Sequence, residues 1–188
     1  MPLRLPWFRE ANIEPMVVTM SAVRAGERLL QVGVDDPTHA GGIAAKVGIG
    51  GNAMLALPDG TNAARSQVAL RKEGVVDTRV GALDSLPGGD GAYDVVVIHG
   101  VGGLLARLTR EARSTLLCEC ARVLRPRGRL VVIEAGPATG GLGALLGRTP
   151  DPYVEAGGAA PDLESAGFRP VRMLGERDGY RFIEGLRP

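Results

Sequence analysis

Two stretches of this chain are apolar without alternation: Val95-Val96-Val97-Ile98 within Tyr93–His99, and Leu130-Val131-Val132-Ile133 within Arg129–Glu134. A strand with one wet face alternates apolar and polar side chains. An unbroken apolar run instead belongs to a strand buried on both faces, as in a parallel sheet with helices on each side. Parallel neighbours must be joined by long crossovers, usually helices. The rest of the chain should therefore alternate strand and helix.

It does so from Arg28 onward. Leu29–Val34 reads as a first strand, and Asp36-Pro37 opens a helix that runs to about Val47 and stops at Gly48. Asp is a favoured N-cap and Pro a favoured first helical residue. Ala53–Leu57 reads as a second strand, Thr61–Lys72 as a helix closed by Gly74, and Val75–Val80 as a third strand. Arg110–Leu124 reads as a helix ended by Arg125-Pro126-Arg127-Gly128. Residues 136–160 are rich in Gly and Pro and read as a long loop with a short helix, a kind of segment that is often functional. Pro161–Ala166 follows as a short helix. Val171–Leu174 and Tyr180–Glu184 then form two strands turning at Asp178-Gly179. The expected fold class is α/β: a Rossmann-like doubly wound sheet, mostly parallel, with an antiparallel C-terminal edge hairpin. Residues 1–25 read as an N-terminal arm and leading helix, and 26–188 as the domain. Trp7 and Phe8 are two of only seven aromatics, so the arm is expected to dock, on its own domain or on a protein partner.

Charge narrows the function classes. The formal net charge is +1, which provides no field for nucleic acid or for basic partners. Arg122, Arg125, Arg127 and Arg129 form a local basic cluster, read as a solvated face because stacking aromatics are lacking. Cys118 and Cys120 lie two apart on a helix and point in different directions, which fits a reduced, cytoplasmic setting. With only two histidines and no Cys/His cluster, no zinc site is expected. No apolar run is long enough for a transmembrane segment.

In motif order, the chain from about residue 26 to its end resembles the class I S-adenosylmethionine-dependent methyltransferases of small-molecule type. Arg28-Leu29-Leu30-Gln31-Val32-Gly33 before a helix is similar to that family's first motif, and Tyr93–Val97 to its fourth strand. Cys120–Ile133, with Leu124-Arg125-Pro126-Arg127-Gly128 at its centre, resembles the family's helix, turn and fifth strand. Ala166-Gly167-Phe168 resembles the approach to the last strands. The resemblance implies S-adenosylmethionine as cofactor and a small-molecule methyl acceptor.

The first motif is altered. The family's acid falls on Gln31, and its three glycines fall on Gly33, Asp35 and Pro37. The acid expected to hold the ribose falls near Ala56 or Leu57, with Asp59 beyond it. The acid expected at the adenine falls on Ala82, with Asp84 two residues on. Gln31, Gly33, Asp35, Asp59 and Asp84 are thus the cofactor-binding candidates that the resemblance implies. Asp35 is expected to meet a cationic group and Asp36 to cap the helix. Two carboxylates at this helix start disfavour a pyrophosphate ligand. His99 and Glu134 end apolar strands, where ligands of open α/β sheets bind. His99 reads as a general base with a pKa near working pH, or as a satisfied strand-end histidine. Glu134 reads either as a cap of the next segment or as a pocket residue, and with His99 it is the candidate catalytic base should the methyl acceptor have to lose a proton. His39 reads as a surface or packing residue, and Gly100, Gly102 and Gly103 as a substrate floor or a loop. Two functions are open on these residues: methyl transfer to a small molecule, or a methyltransferase-fold module that has lost its cofactor and serves as a scaffold or regulator.

Overall fold

The computed structural model describes residues 15–60, 62–75, 77–136, 151–177 and 179–188. Trp7 and Phe8, and residues 137–150 of the expected long loop, lie outside the described residues. In chain order the elements are α1 (Met16–Met20), β1 (Arg28–Val32), α2 (Pro37–Ala45), β2 (Asn52–Pro58), α3 (Ala63–Lys72), β3 (Thr78–Gly81), β4 (Tyr93–Gly100) and α4 (Leu104–Arg107). They continue with α5 (Arg110–Val123), β5 (Leu124–Ala135), α6 (Pro152–Glu155), α7 (Ala159–Ser165), β6 (Val171–Arg177) and β7 (Tyr180–Leu186).

The seven strands form one sheet in the order β3-β2-β1-β4-β5-β7-β6. β1 to β5 are parallel, β7 runs antiparallel between β5 and β6, and β6 is the edge. The unbroken apolar runs have the expected cause. Val95, Val97, Val131 and Ile133 face a core shared with α1 and α2, while Val96, Ile98, Leu130 and Val132 face one shared with α5 and α7. Helices on both faces leave no wet side for the central strands.

Three boundaries differ from the sequence reading. The third strand begins at Thr78, because Val75 is buried beside Leu70, Leu55 and Leu57 and closes α3 instead. β5 begins at Leu124, directly at the end of α5, so the arginine turn belongs to the strand. A short helix, α4, follows the glycines after β4 where no helix was expected. Gly41 and Gly42 lie against Glu73 and Val18, where a Cβ would come within 2.7 and 2.8 Å. They allow α2 to approach α1 and the end of α3.

The arginine cluster is only partly a solvated face: Arg127 is exposed, but the other three arginines are ion-paired. Arg122 pairs with Glu119 and Asp90, Arg125 with Asp94, and Arg129, 9% exposed, with Glu27. Arg28 joins Arg125 on Asp94, whose carboxyl these two guanidiniums hold well below the usual carboxylate range against the opposing effect of burial. These pairs knit the first residues of β1, β4 and β5 at the amino edge of the sheet, opposite the edge where ligands bind. Among the described residues no helix is long and apolar enough to cross a membrane.

Candidate functional site

The parallel strands β1 to β4 all end on one edge, which gathers Gly33, Asp35, Asp59, Asp84 and His99 there. The turn after β1 is set by Gly33, at φ +74°, a left-handed conformation that favours glycine. A Cβ there would come within 2.9 Å of the Leu104 side chain and 3.4 Å of the His99 carbonyl, so the loop packs directly on the end of β4 and on α4. Asp36 caps α2 as expected, accepting from the Thr38 N–H at 2.8 Å, with Pro37 as first helical residue. Asp35 reaches the other way. Its two carboxylate oxygens accept the N–H groups of Val101 and Gly102, each at 2.8 Å. Desolvation raises its pKa, while those two hydrogen bonds lower it.

Gln31 and His99 form a buried pair on the α1/α2 face. The Gln31 amide nitrogen donates to the Ala40 carbonyl at 3.0 Å, since a carbonyl can only accept. Its Oε1 therefore faces His99 Nε2 at 2.8 Å and makes that nitrogen the protonated one. Nδ1 is left as the ring's acceptor. Burial pushes the His99 pKa down to about 4. His99 is thus a neutral imidazole at working pH, not the base near neutrality that its position at the strand end suggested. The neighbouring His39 adds to this, whereas a carboxylate in place of the amide at position 31 would favour the imidazolium. Gln31→Glu is accordingly expected to raise the His99 pKa from about 4 to ~6, read from the ring-carbon shifts in an NMR titration. A pKa still near 4 in the variant would rule this account out.

A cavity of about 180 Å³ opens beside this pair. Its lining combines Asp35, Asp36 and His39 from the start of α2, His99 and Val101 from β4, Ile133 from β5, Val17 from α1 and Tyr180 from β7. His39 was read as a surface or packing residue. It stands at one side of the cavity, edge-on to the Tyr180 ring with centroids 6.2 Å apart. Tyr180 carried no signal in the sequence, because only the β5–β7 register, which pairs it with Ala135, brings it to this edge. The spacing Asp36-x-x-His39 on one helical turn was the available sign for His39.

Asp59 and Asp84 are exposed just past the ends of β2 and β3, and neither carboxylate has a partner among the described residues. Glu134 is at the same edge but not at the same site. In the β4–β5 register His99 pairs with Ile133, and Glu134 with Gly100, so the Glu134 side chain leaves by the opposite face. There it is 2% exposed and accepts from the Ala159 N–H at 3.0 Å. Burial pushes its pKa up to about 7, with Arg181 3.6 Å away opposing the rise. Glu134 thus holds the start of α7 rather than the segment that follows β5, and it is not among the residues lining the cavity at His99. Among the described residues no group of three or more His, Cys, Asp or Glu side chains is placed to hold a metal ion.

Comparison with known proteins places this geometry. A family model described as a methyltransferase domain matches residues 46–132. A search of curated proteins finds no match. Among solved structures, the chain is similar to a SAM-dependent methyltransferase from Aquifex aeolicus, with a TM-score of 0.67, 17% identity, and 92% of this chain and 88% of that one covered. A TehB-like SAM-dependent methyltransferase from Corynebacterium glutamicum gives a TM-score of 0.57 at 15% identity, covering 93% and 87%. A 16S rRNA methyltransferase from T. thermophilus, in complex with AdoMet and guanosine, gives 0.58 at 17% identity, covering 100% of this chain and 44% of that one. The chain spans about half the length of several other methyltransferase structures that it matches.

Proposed function

We propose that this chain, similar in fold to class I S-adenosylmethionine-dependent methyltransferases, transfers a methyl group from S-adenosylmethionine to a small molecule. One observation carries this reading: the left-handed Gly33 turn, the carboxylates Asp59 and Asp84, which have no partner among the described residues, and the acid-lined cavity at His99 share the carboxyl edge of β1 to β4. That set fits an elongated cationic nucleoside. Asp35 and Asp36 place negative charge where a sulfonium or ammonium is favoured. Asp59 and Asp84 are open acceptors for hydroxyl and amine donors further along the edge. The cavity, at about 180 Å³, is below the ~300–1,000 Å³ that encloses a drug-sized ligand. It therefore suits the reacting end and a small acceptor, with the nucleoside lying across the strand ends.

When bound, the cofactor supplies an electrophilic methyl group on sulfur. What this chain's residues contribute is positioning. Transfer by in-line attack depends mainly on holding two groups in line, an effect that supplies much of the barrier reduction in such reactions. His99, kept neutral by burial and held as the Nε2–H tautomer by the Gln31 amide oxygen, accepts a hydrogen bond from an O–H or N–H at Nδ1 and orients it. With a pKa of about 4 it is a weak proton acceptor, so its task is orientation rather than deprotonation. Val17, Val101 and Ile133 keep water from the reacting atoms. The expected result in calorimetry is micromolar binding of S-adenosylmethionine and of S-adenosylhomocysteine. Silence for both up to millimolar ligand would remove this function and leave the scaffold reading.

A further inference from the structure

We propose that the backbone N–H groups of Val101 and Gly102 form a carboxylate seat, and that the chain fills this seat with its own Asp35 side chain. Two successive N–H groups converge on one carboxylate, one on each oxygen, both at 2.8 Å. That is the arrangement of an anion-binding concavity built from main chain. It is also shaped for its occupant. A Cβ on Gly102 would lie 2.7 Å from Asp35 Oδ1, so the loop approaches the carboxylate as closely as only a glycine allows. Gly103 continues the loop at φ +78° into α4, and the Arg107 guanidinium donates to the Gly102 carbonyl, which fixes the peptide that presents these donors.

The occupant comes from the residue where the resembling family has a glycine. A side chain with no carboxylate at position 35 would leave these two aligned donors to water or to another anion, beside the cavity that Val101 lines. The chain as it stands therefore offers an incoming ligand a carboxylate at this point, and not a place to put one. A ligand group entering here is cationic or neutral, and a carboxylate-bearing ligand must displace Asp35 or turn its acid elsewhere. This inference is independent of methyl transfer, because the seat can be read without any cofactor.

The test is chemical rescue with formate and acetate, using chloride at equal ionic strength as control. In Asp35→Gly both anions are expected to raise the thermal midpoint saturably in the millimolar range. Their apparent affinity should be at least tenfold above that of the unsubstituted protein, and the amide resonances of Val101 and Gly102 should move most on titration. Equal response to formate and chloride, or the same response in both proteins, would overturn the proposal. If Asp35→Gly folds poorly, refolding yield reads the same seat. Recovery with formate and not with chloride supports it, and equal failure in both refutes it. Absence of S-adenosylmethionine binding in the unsubstituted protein, with rescue of Asp35→Gly intact, would sink the methyl-transfer reading alone.

Discussion

Gly158→Ala is expected to destabilise the protein by about 3–5 kcal/mol, the range of severe single substitutions. Two independent costs add there. Gly158 has φ +62° and ψ −140°, a backbone conformation close to glycine-only territory, and holding another residue in it costs about 1–3 kcal/mol. The added Cβ would also overlap Glu134, with Oε2 and Cδ both at 2.7 Å and Oε1 nearer still. Glu134 cannot swing aside, because it is buried and bonded to the Ala159 N–H. Gly167→Ala separates the two costs. It shares a positive φ, +90°, but has nothing within 4 Å of the new Cβ, so only the backbone cost of about 1 kcal/mol applies. Urea unfolding with an unchanged m-value measures both. A loss below about 1 kcal/mol for Gly158→Ala would show that Glu134 and the start of α7 rearrange freely.

The second large effect is a pH dependence carried by Glu134. Its folded pKa of about 7 lies above the ordinary 4.5, and burial is the main cause. Below pH 4.5 the group is protonated in both states and its contribution to stability is whole. Between 4.5 and 7 the unfolded chain releases the proton while the folded chain keeps it, so stability falls as pH rises, and above 7 the fall levels off. The shift from 4.5 to about 7 corresponds to about 3 kcal/mol. Glu134→Gln keeps an oxygen to accept from Ala159 and does not ionise. The difference in unfolding free energy between wild type and this variant is expected to move by about 3 kcal/mol against the wild type from pH 4.5 to 8. A flat difference would refute the buried-carboxyl account. The same variant tests the alternative that Glu134 is a catalytic base: turnover should survive the substitution if the residue only caps α7.

The candidate site was legible in unequal parts. The cap by Asp36, the turn at Gly33 and the strand-end position of His99 follow from local rules about helix starts and sheet edges. The split of His99 from Glu134 does not. Both end unbroken apolar runs and both sit at the carboxyl edge, but which face a side chain takes depends on pairing register, and a shift of one residue reverses it. The low His99 pKa is not local either: burial to 3% exposure comes from the packed helices, and the Gln31 contact joins residues 68 positions apart. The arginine cluster looked basic because its acidic partners Asp94, Asp90 and Glu27 come from other strands and loops.

The sequence by itself determined the parallel sheet, its order of strands and helices, and the altered glycine turn. Unbroken apolar runs, capping residues and turn glycines act over a few residues, and their physics is the same in any surrounding. Only the tertiary structure decided what the altered turn does. Asp35 in place of a glycine reads from sequence as a contact for a cationic group. In the fold it meets two backbone donors from a loop 66 and 67 residues away, and a carboxylate takes its role from the donors that reach it.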